Sequence, residues 1–497
     1  VPDWNGLSAD EKRLYARMME VFAGFLEHTD HCIGELISFL KEIGEYDNTM
    51  IMVISDNGAS SEGGPTGSVN EGKFFNNVPE NLEQNLAAID DIGGPKYFNH
   101  YPWGWTHAGN TPFRRWKRET YRGGTSDPFI LSWPKGIAAR GEVRSQYCHA
   151  IDMVPTVLEA LGIEAPTTIK GVSQSPIEGF SLVSCFADPA APSLHLTQYF
   201  EMFGHRSIYH EGWRAVCPWP GTSFVESGRR FGDPISYEQL IQLDAHGWEL
   251  YNLQEDFAET NNLAAAERDR LIAMIGMWYV EAGKYNVLPI DSRGTLRFAI
   301  ERPQLAPDRE RYIYYPGTQM VPGNAAPRLL NRPHSVSVEL EVPEGGAEGV
   351  LFSMGGNDGG FAFYVQNGLL TYGYNFVAEQ FFHIRSSGPI PAGHHIVSAE
   401  FTPTGPADLA NGKGTPAKVV LFVDGQAVGE GDLPVTIPLS LGLAAGVAVG
   451  ADPGSPALPD YKPPFAYGGR IKRALVDVSG TPVVDLKEQM RQILARQ

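Results

Sequence analysis

Apolar residues recur at three- and four-residue steps along the first 40 positions, which is the spacing of one helical face. Ser8 and Glu11 form a capping-box sequence that predicts where this helix begins. The pattern predicts one long helix, or two helices in series that meet near residues 28–31. The apolar face consists of Leu14, Met18, Phe22, Phe25, Ile33, Ile37 and Leu40.

A short apolar and β-branched run at residues 49–54 follows the helix. Gly44 ends the helical pattern, and the run has the length and composition of a strand buried on both faces. A helix followed by such a strand favours a parallel sheet. Residues 1–300 are therefore predicted to form an α/β domain.

The pattern changes after residue 300. Residues 301–333 are rich in Pro and Arg with little periodicity, and we interpret them as a linker. Short runs of period two then predict an all-β sandwich over residues 334–480, and residues 481–497 predict a terminal helix. The predicted strands are Ser335–Val342, Gly349–Met354, Gly360–Val365, Leu369–Asn375, His395–Thr402, Ala417–Val423 and Arg473–Val478.

The amino-acid composition argues against some classes of binding partner. The 497 residues carry a net charge of -19, with 39 Lys and Arg against 58 Asp and Glu, which argues against nucleic acid or an anionic membrane as a partner. No apolar run reaches the length of a membrane span, so we expect a soluble protein whose compartment stays open. The four cysteines, at positions 32, 148, 185 and 217, fit neither a disulfide scaffold nor a zinc ribbon.

Polar residues follow the predicted strand immediately, in the sequence Ser55-Asp56-Asn57-Gly58. Ligands gather at the carboxyl ends of strands in parallel α/β sheets, and carboxylate and amide oxygens suit a hard cation such as calcium or magnesium. The alternative is a simple turn, because Asn-Gly favours one.

A second cluster concentrates positive charge in an otherwise acidic chain. It would suit an anionic group, although a solvated basic face is the alternative. The cluster comprises Arg114, Arg115, Lys117, Arg118 and Arg122.

The order of these segments resembles the arylsulfatases of the alkaline-phosphatase superfamily, over residues 1 to about 285. The segments that carry the resemblance are Ser55-Asp56-Asn57-Gly58, Asn110-Thr111-Pro112-Phe113-Arg114 with Lys117, Gly123-Gly124, Pro128-Phe129-Ile130, Trp133-Pro134, the run His149 to Thr156, Trp248 to Leu253 and Glu259 to Leu263.

The resemblance implies hydrolysis of a sulfate ester, carried by a small molecule or a sulfated glycan. In that family a formylglycine supplies the nucleophile, while a calcium ion and basic side chains hold the sulfate. It further implies that Asp56 and Asn57 bind the metal, Ca2+ or Mg2+, and that Lys117 contacts the sulfate near its leaving oxygen. His107 is a candidate proton donor, with a structural role as its alternative.

The chain also departs from the family pattern. No Cys or Ser begins a Cys/Ser-x-Pro-x-Arg motif, and Arg122 stands where a Glu is expected. The chain opens at Val1 without an initiator Met. We therefore expect this chain to be the C-terminal portion of the catalytic domain, with the formylglycine in a missing N-terminal half, and we expect it alone to be inactive.

The sandwich resembles the concanavalin-like jelly rolls attached to long bacterial arylsulfatases. Its aromatic residues would mostly fill a core, and the alternative is that some stack on sugar rings. Two other functions stay open: a phosphoester hydrolase or phosphoryl transferase of the same superfamily, and a non-catalytic glycan-binding protein.

Overall fold

Helices lie in the first part of the described chain. The computed structural model describes residues 1–138, 140–219, 247–290, 309–323, 325–441 and 445–483. No helix among these residues has both the length and the apolarity needed to cross a membrane. The helices are α1 (Ala9–Glu42), α2 (Glu71–Phe75), α3 (Leu82–Ala87), α4 (Trp103–Asn110), α5 (Arg122–Thr125), α6 (Met153–Leu161), α7 (Ser184–Ala187) and α8 (Arg268–Lys284).

The capping box begins α1 as predicted. The Ser8 main-chain N–H donates to Glu11 Oε2 at 2.8 Å, and the Glu11 main-chain N–H donates to Ser8 Oγ at 3.2 Å. The helix then runs without a break through residues 28–31, so the prediction of one long helix is confirmed. Its apolar face is only partly covered, because Leu14 and Met18 are buried whereas Phe25 is exposed.

Strands occur along the whole described chain. They are β1 (Ile51–Ile54), β2 (Phe129–Ser132), β3 (Thr168–Ile169), β4 (Val172–Ser173), β5 (Thr197–Met202), β6 (His205–His210), β7 (Trp213–Cys217), β8 (Glu249–Asn252), β9 (Arg311–Tyr314), β10 (His334–Val342), β11 (Gly349–Gly356), β12 (Gly359–Gln366), β13 (Leu369–Phe376), β14 (Gln380–Pro389), β15 (Gly393–Pro403), β16 (Ala417–Val423), β17 (Gln426–Leu433), β18 (Val447–Val449) and β19 (Arg470–Asp477).

The early apolar strand does not lie in a parallel sheet. In the described chain β1 pairs only with β2, and the pairing is antiparallel, with Ile54 opposite Phe129. Val53 and Ile54 are exposed. The prediction of a strand buried on both faces was therefore wrong, because the sequence run records apolarity but not what covers it. Elsewhere, β5, β6, β7 and β8 form a four-stranded antiparallel sheet in that order.

Two larger antiparallel sheets occupy residues 309–483, here called the two-sheet region. One has the order β17-β16-β15-β10-β19-β9 and the other β14-β13-β12-β11-β18. Buried side chains from both sheets, including Val338 and Phe352, form one hydrophobic cluster. The seven strands predicted from period two are all present, and four more were missed. One of these, β9, corrects the prediction that residues 301–333 are only a linker, because it pairs with β19.

The chain divides into two compact units, each assembled from separated stretches. The first contains Val1, Ala23–Ser61 and Gly104–Arg297; the second contains Pro2–Phe22, Glu62–Trp103 and Phe298–Gln497. Within the second unit, Asn70 Nδ2 donates to the Val377 carbonyl at 2.9 Å, and Lys73 pairs with Glu379 at 2.6 Å. Residues 62–103 thus pack with the two-sheet region, a grouping that the predicted division at residue 300 does not contain. The predicted terminal helix lies largely outside the described residues.

Candidate functional site

The candidate site is built on a turn, Ser55–Ala59, that follows β1 and is called the site turn below. The Ser55 N–H donates to the Pro128 carbonyl at 3.2 Å, and the Gly58 N–H approaches the Gly124 carbonyl at 3.5 Å. A Cβ added to Gly58 would lie 1.7 Å from the Gly123 oxygen, so a side chain does not fit there. The close approach of two main chains therefore requires glycine at position 58.

Asn110 holds the site turn against the basic cluster. Its Oδ1 accepts from the Ala59 N–H at 3.0 Å, and its Nδ2 donates to the carbonyls of Arg115 and Gly123 at 2.9 and 2.7 Å. One amide side chain thus satisfies three main-chain groups in two loops. Asn110 was recognised in the sequence as part of a motif, but no role was predicted for it.

The main chain of Lys117 lies directly against the site turn. Its N–H donates to the Ala59 carbonyl at 3.1 Å, and the residue is half-buried. The structure therefore brings together the main-chain segments that carry Asp56, Asn57 and Lys117, although they are far apart in the sequence.

Asp56 and Asn57 present oxygen atoms on this turn. Asp56 is exposed and makes no hydrogen bond to any described residue, whereas Asn57 is half-buried. Asn57 Nδ2 donates to the Gly58 carbonyl at 3.1 Å, and this bond fixes the side chain by its donor end. The amide carbonyl oxygen is the atom left to bind a cation.

Asp127 is a carboxylate near the site turn that the sequence patterns do not predict as a site residue. Burial, together with the charge of Asp56, raises its pKa to about 6. Its Oδ1 is buried and has no hydrogen-bond partner among the described residues. Asp127 lies just before β2, and β2 pairs with β1. A sequence-based prediction of that pairing would have identified Asp127 as a neighbour of the site turn.

Two arginines of the basic cluster serve packing. Arg114 donates to the Tyr251 hydroxyl at 2.8 Å and the Glu259 carbonyl at 3.0 Å. Arg122 donates to the Phe257 carbonyl at 2.6 Å, and its guanidinium stacks over the rings of Phe113 and Phe257. These two side chains therefore belong neither to an anion site nor to a solvated basic face, the two interpretations of the cluster drawn from the sequence.

A buried ion pair also stabilises the segment that carries the basic cluster. Arg214 Nε lies 3.1 Å from Glu259 Oε1, and the Arg122 main-chain N–H donates to Glu259 Oε2 at 2.9 Å. Arg214 also donates to the Thr125 hydroxyl at 2.8 Å. Glu259 therefore ties β7 to α5, and this contact explains a glutamate in the later motif as structural.

His107 lies in α4 and is exposed. The neighbouring Thr106 donates its hydroxyl to the Ser60 carbonyl at 2.8 Å, which fixes α4 next to the site turn. No hydrogen bond or ion pair joins the His107 ring to Asp56 or Asn57 among the described residues. His107 thus lies on a helix next to the site turn, but its ring makes no hydrogen bond or ion pair with the predicted metal ligands among the described residues.

A second group of side chains with metal-ligating atoms lies in the second unit. Ligand atoms of Glu62, Glu71 and His100 all lie within 4.8 Å of one another. His100 Nδ1 is 2.9 Å from the Tyr101 carbonyl. This group is separate from the residues predicted as metal ligands.

Comparison with known proteins shows similarity to sulfatases, which agrees with the resemblance seen in the sequence at the level of the sulfatase family. Residues 3–163 match the family model described as Sulfatase. An uncharacterized sulfatase of Schizosaccharomyces pombe is 30% identical over 288 residues, which cover 57% of this chain and 47% of that protein. The Arylsulfatase of Klebsiella aerogenes is 27% identical over 181 residues, 36% of this chain and 37% of that protein.

A third relative, the N-acetylglucosamine-6-O-sulfatase of Bacteroides thetaiotaomicron, is 25% identical over 251 residues. The match covers 50% of this chain and 32% of that protein. The chain thus spans less than half the length of these three curated relatives.

Proposed function

We propose that this chain carries the cation- and sulfate-binding part of a sulfuric ester hydrolase. The observation that supports the proposal most strongly is the hydrogen bond from the Lys117 N–H to the Ala59 carbonyl, at 3.1 Å. This bond joins the main chain of Lys117 to a turn that bears a carboxylate and an amide oxygen, which supports a shared site. The similarity of residues 3–163 to sulfatases supports the same reaction class.

The residues of the site turn fit a divalent cation, Ca2+ or Mg2+. Asp56 and Asn57 supply hard oxygen atoms, and the nearby Oδ1 of Asp127 is buried with no hydrogen-bond partner among the described residues. When bound, the cation would withdraw electron density from sulfate oxygens. We assign Asp56 and Asn57 to holding it.

Lys117 has the charge needed at the leaving group. As the S–O bond of a sulfate ester lengthens, negative charge accumulates on the leaving oxygen, and a fixed ammonium stabilises it. His107 is proposed as the donor of the proton that this oxygen takes up. Its exposure on α4 leaves room for a substrate to approach the ring.

The nucleophile is proposed to come from polypeptide other than these 497 residues. None of the four cysteines begins the Cys/Ser-x-Pro-x-Arg sequence that precedes formylglycine formation. Apolar side chains of β1 and β2 near the site turn are exposed, among them Ile54 and Ile130. We propose that further catalytic-domain polypeptide covers this surface and supplies the formylglycine, and that the chain alone does not turn over a sulfate ester.

The substrate class follows from this chemistry and from the relatives. A cation and a lysine recognise the sulfate group, whereas neither specifies the alcohol. A sulfate ester of a small molecule or a sulfated glycan would satisfy the site, and one relative is named as an N-acetylglucosamine-6-O-sulfatase.

Calorimetric titration of the chain with an aryl sulfate in Ca2+ tests the proposal. Binding should weaken at least about tenfold in Lys117→Met, which corresponds to about 1.4 kcal/mol. Lys96→Met is the matched control, because Lys96 is an exposed lysine paired with Asp91 at 2.8 Å. Equal weakening in both variants would reject the site.

The same titration separates sulfate from phosphate chemistry. A phenyl phosphate that binds more tightly than the aryl sulfate, with the same dependence on Lys117, would replace the sulfatase proposal by a phosphoester hydrolase. Release of the alcohol from an aryl sulfate above background by the purified chain would contradict the proposed origin of the nucleophile.

A further inference from the structure

Three side chains of the second unit lie close enough together to bind one metal ion. Each of Glu62, Glu71 and His100 offers a ligand atom, and these atoms all lie within 4.8 Å of one another. Two ligands bound at about 2.1 Å to a tetrahedral zinc ion lie about 3.4 Å apart, so small side-chain rotations would bring the three atoms to that spacing. All three residues are half-buried, which leaves an ion a path from solvent.

Main-chain contacts bring together the segments that carry these side chains. The Glu71 N–H donates to the Phe98 carbonyl at 2.8 Å, which holds the start of α2 against the segment before His100. Glu62 precedes Gly63, where an added Cβ would lie 2.7 Å from His100 Nδ1. The main chain beside Glu62 therefore lies against the His100 ring, and the backbone alone gathers the three ligands.

The His100 ring is oriented by the neighbouring main chain. Its Nδ1 lies 2.9 Å from the Tyr101 carbonyl, and a carbonyl oxygen can only accept a hydrogen bond. Nδ1 therefore carries a proton, and Nε2 presents a lone pair in the neutral ring. An imidazole whose other nitrogen donates to a carbonyl is the usual arrangement for a histidine that binds a metal.

A buried hydroxyl beside the group lacks a partner. Ser68 is 3% exposed, and its Oγ has no hydrogen-bond partner among the described residues. Ser68 and His100 form an antiparallel bridge, with main-chain hydrogen bonds of 2.9 and 2.8 Å in the two directions. Side chains directly opposite each other in such a pair project to the same face, so the Ser68 hydroxyl shares a face with the His100 ring. A buried hydroxyl without a partner is costly, and a water on an ion at His100 would supply one.

We propose that Glu62, Glu71 and His100 bind one divalent transition-metal ion such as Zn2+. An imidazole nitrogen with two carboxylates suits zinc, whereas calcium prefers oxygen ligands. The three side chains leave a fourth position for a water, with which Ser68 hydrogen-bonds. The ion joins the start of α2 to the segments on either side of it, and this site does not depend on the sulfate chemistry proposed at the site turn.

Calorimetric titration of the whole, metal-stripped chain with Zn2+ tests this proposal. Saturating Ca2+ is present, so that sites made of oxygen ligands are filled before zinc is added. Glu71→Gln should weaken zinc binding at least tenfold, because it removes an anionic ligand with little change in size. His100→Ala should weaken binding at least as much. The zinc-induced rise in Tm should fall in both variants.

Glu83→Gln is the matched control, because Glu83 is an exposed glutamate in the first turn of α3 and Glu71 lies in the first turn of α2. Every variant is made in a parent chain that carries His28→Ala, which removes an exposed histidine whose Nε2 lies 3.8 Å from Cys32 Sγ. Glu83→Gln should bind zinc as the parent does. The metal-free Tm of each variant shows whether it is folded.

X-ray absorption identifies the ligands in the zinc-loaded parent. It should show nitrogen and oxygen neighbours at about 2.0 to 2.2 Å and the scattering of one imidazole ring. Ser68→Ala should weaken zinc binding less than the loss of a ligand does. Zinc affinity unchanged in either Glu71→Gln or His100→Ala would overturn the proposed site, as would a parent chain that binds no zinc. A loss in Glu83→Gln as large as that in Glu71→Gln would also overturn it, because general negative charge would then explain the binding.

Discussion

Two strands of this protein contain apolar runs but have opposite surroundings. β1, beside the site turn, exposes Val53 and Ile54, the latter at 43%. In β11 of the two-sheet region every residue is buried, and Leu351 and Phe352 are fully enclosed. An apolar run therefore predicts a strand but does not show which polypeptide covers it.

The two regions are also held together differently. The two-sheet region is stabilised by a large cluster of aliphatic and aromatic side chains. The site turn is held by main-chain hydrogen bonds, by Asn110 and by a glycine that admits close contact. Removing a side chain should therefore harm the first region more, whereas adding one should harm the second.

Leu351→Ala and Ile54→Ala test the difference in covering with side chains of equal size. Leu351→Ala should cost about 3 to 4 kcal/mol, since it leaves a cavity in the fully buried cluster. Ile54→Ala should cost less than about 1 kcal/mol in this chain, because the side chain is already partly in water. Hydrogen exchange of the amides in each strand measures both values. Equal losses of stability would show that the two side chains are covered to the same extent.

Gly58→Ala tests the close contact at the site turn. The added Cβ would lie 1.7 Å from the Gly123 oxygen, so the two main chains must separate. We expect a loss of about 2 to 3 kcal/mol in the first unit.

The control for Gly58→Ala is Gly34→Ala, since nothing lies within 4 Å of a Cβ at that position of α1. This change should stabilise the helix by about 0.5 to 1 kcal/mol. Denaturant unfolding followed by exchange at β1 measures both variants. A stability of Gly58→Ala like that of the control would contradict the described packing.

Acid tests a property that the two units share. Burial, with Arg115 nearby, lowers the pKa of His205 to about 4, and burial lowers that of His334 in the two-sheet region to about 4. The unfolded chain takes up protons near pH 6.5, before these folded histidines do, so stability is lost as the pH falls from 6.5 towards 4.

For His205 the expected loss is about 1 kcal/mol at pH 5.5. His205→Gln should remove that part of the pH dependence from the first unit alone, because glutamine can still accept the Trp219 N–H that His205 Nδ1 accepts at 3.1 Å. Unfolding at pH 7.5 and 5.5 measures it. An unchanged pH slope in this variant would show that His205 does not carry the effect.

Much of the architecture could be predicted from local patterns. Period two located seven strands of the two-sheet region, and Ser8 with Glu11 located the start of α1. The Asp56-Asn57-Gly58 segment was correctly placed directly after a strand. These features depend on interactions between residues that are close in the sequence, so local sequence patterns are sufficient to predict them.

The remaining features depend on contacts between distant segments. The antiparallel pairing of β1 with β2 brings the segment that carries Asp127 beside the site turn, and the residues around each segment do not predict this pairing. Arg114 could not be separated from Lys117 by sequence, because its partners Tyr251 and Glu259 lie far along the chain. Charge alone therefore overstated the number of basic residues available to an anion.

A double-mutant cycle between Asp56→Asn and Lys117→Met most directly tests whether the site turn and the lysine act on one ligand. Binding of an aryl sulfate at saturating Ca2+ is measured for wild type, both single variants and the double variant. If cation and ammonium hold the same sulfate, the two losses should be non-additive by about 1 kcal/mol or more. Additive losses within about 0.3 kcal/mol would show independent sites and contradict the account.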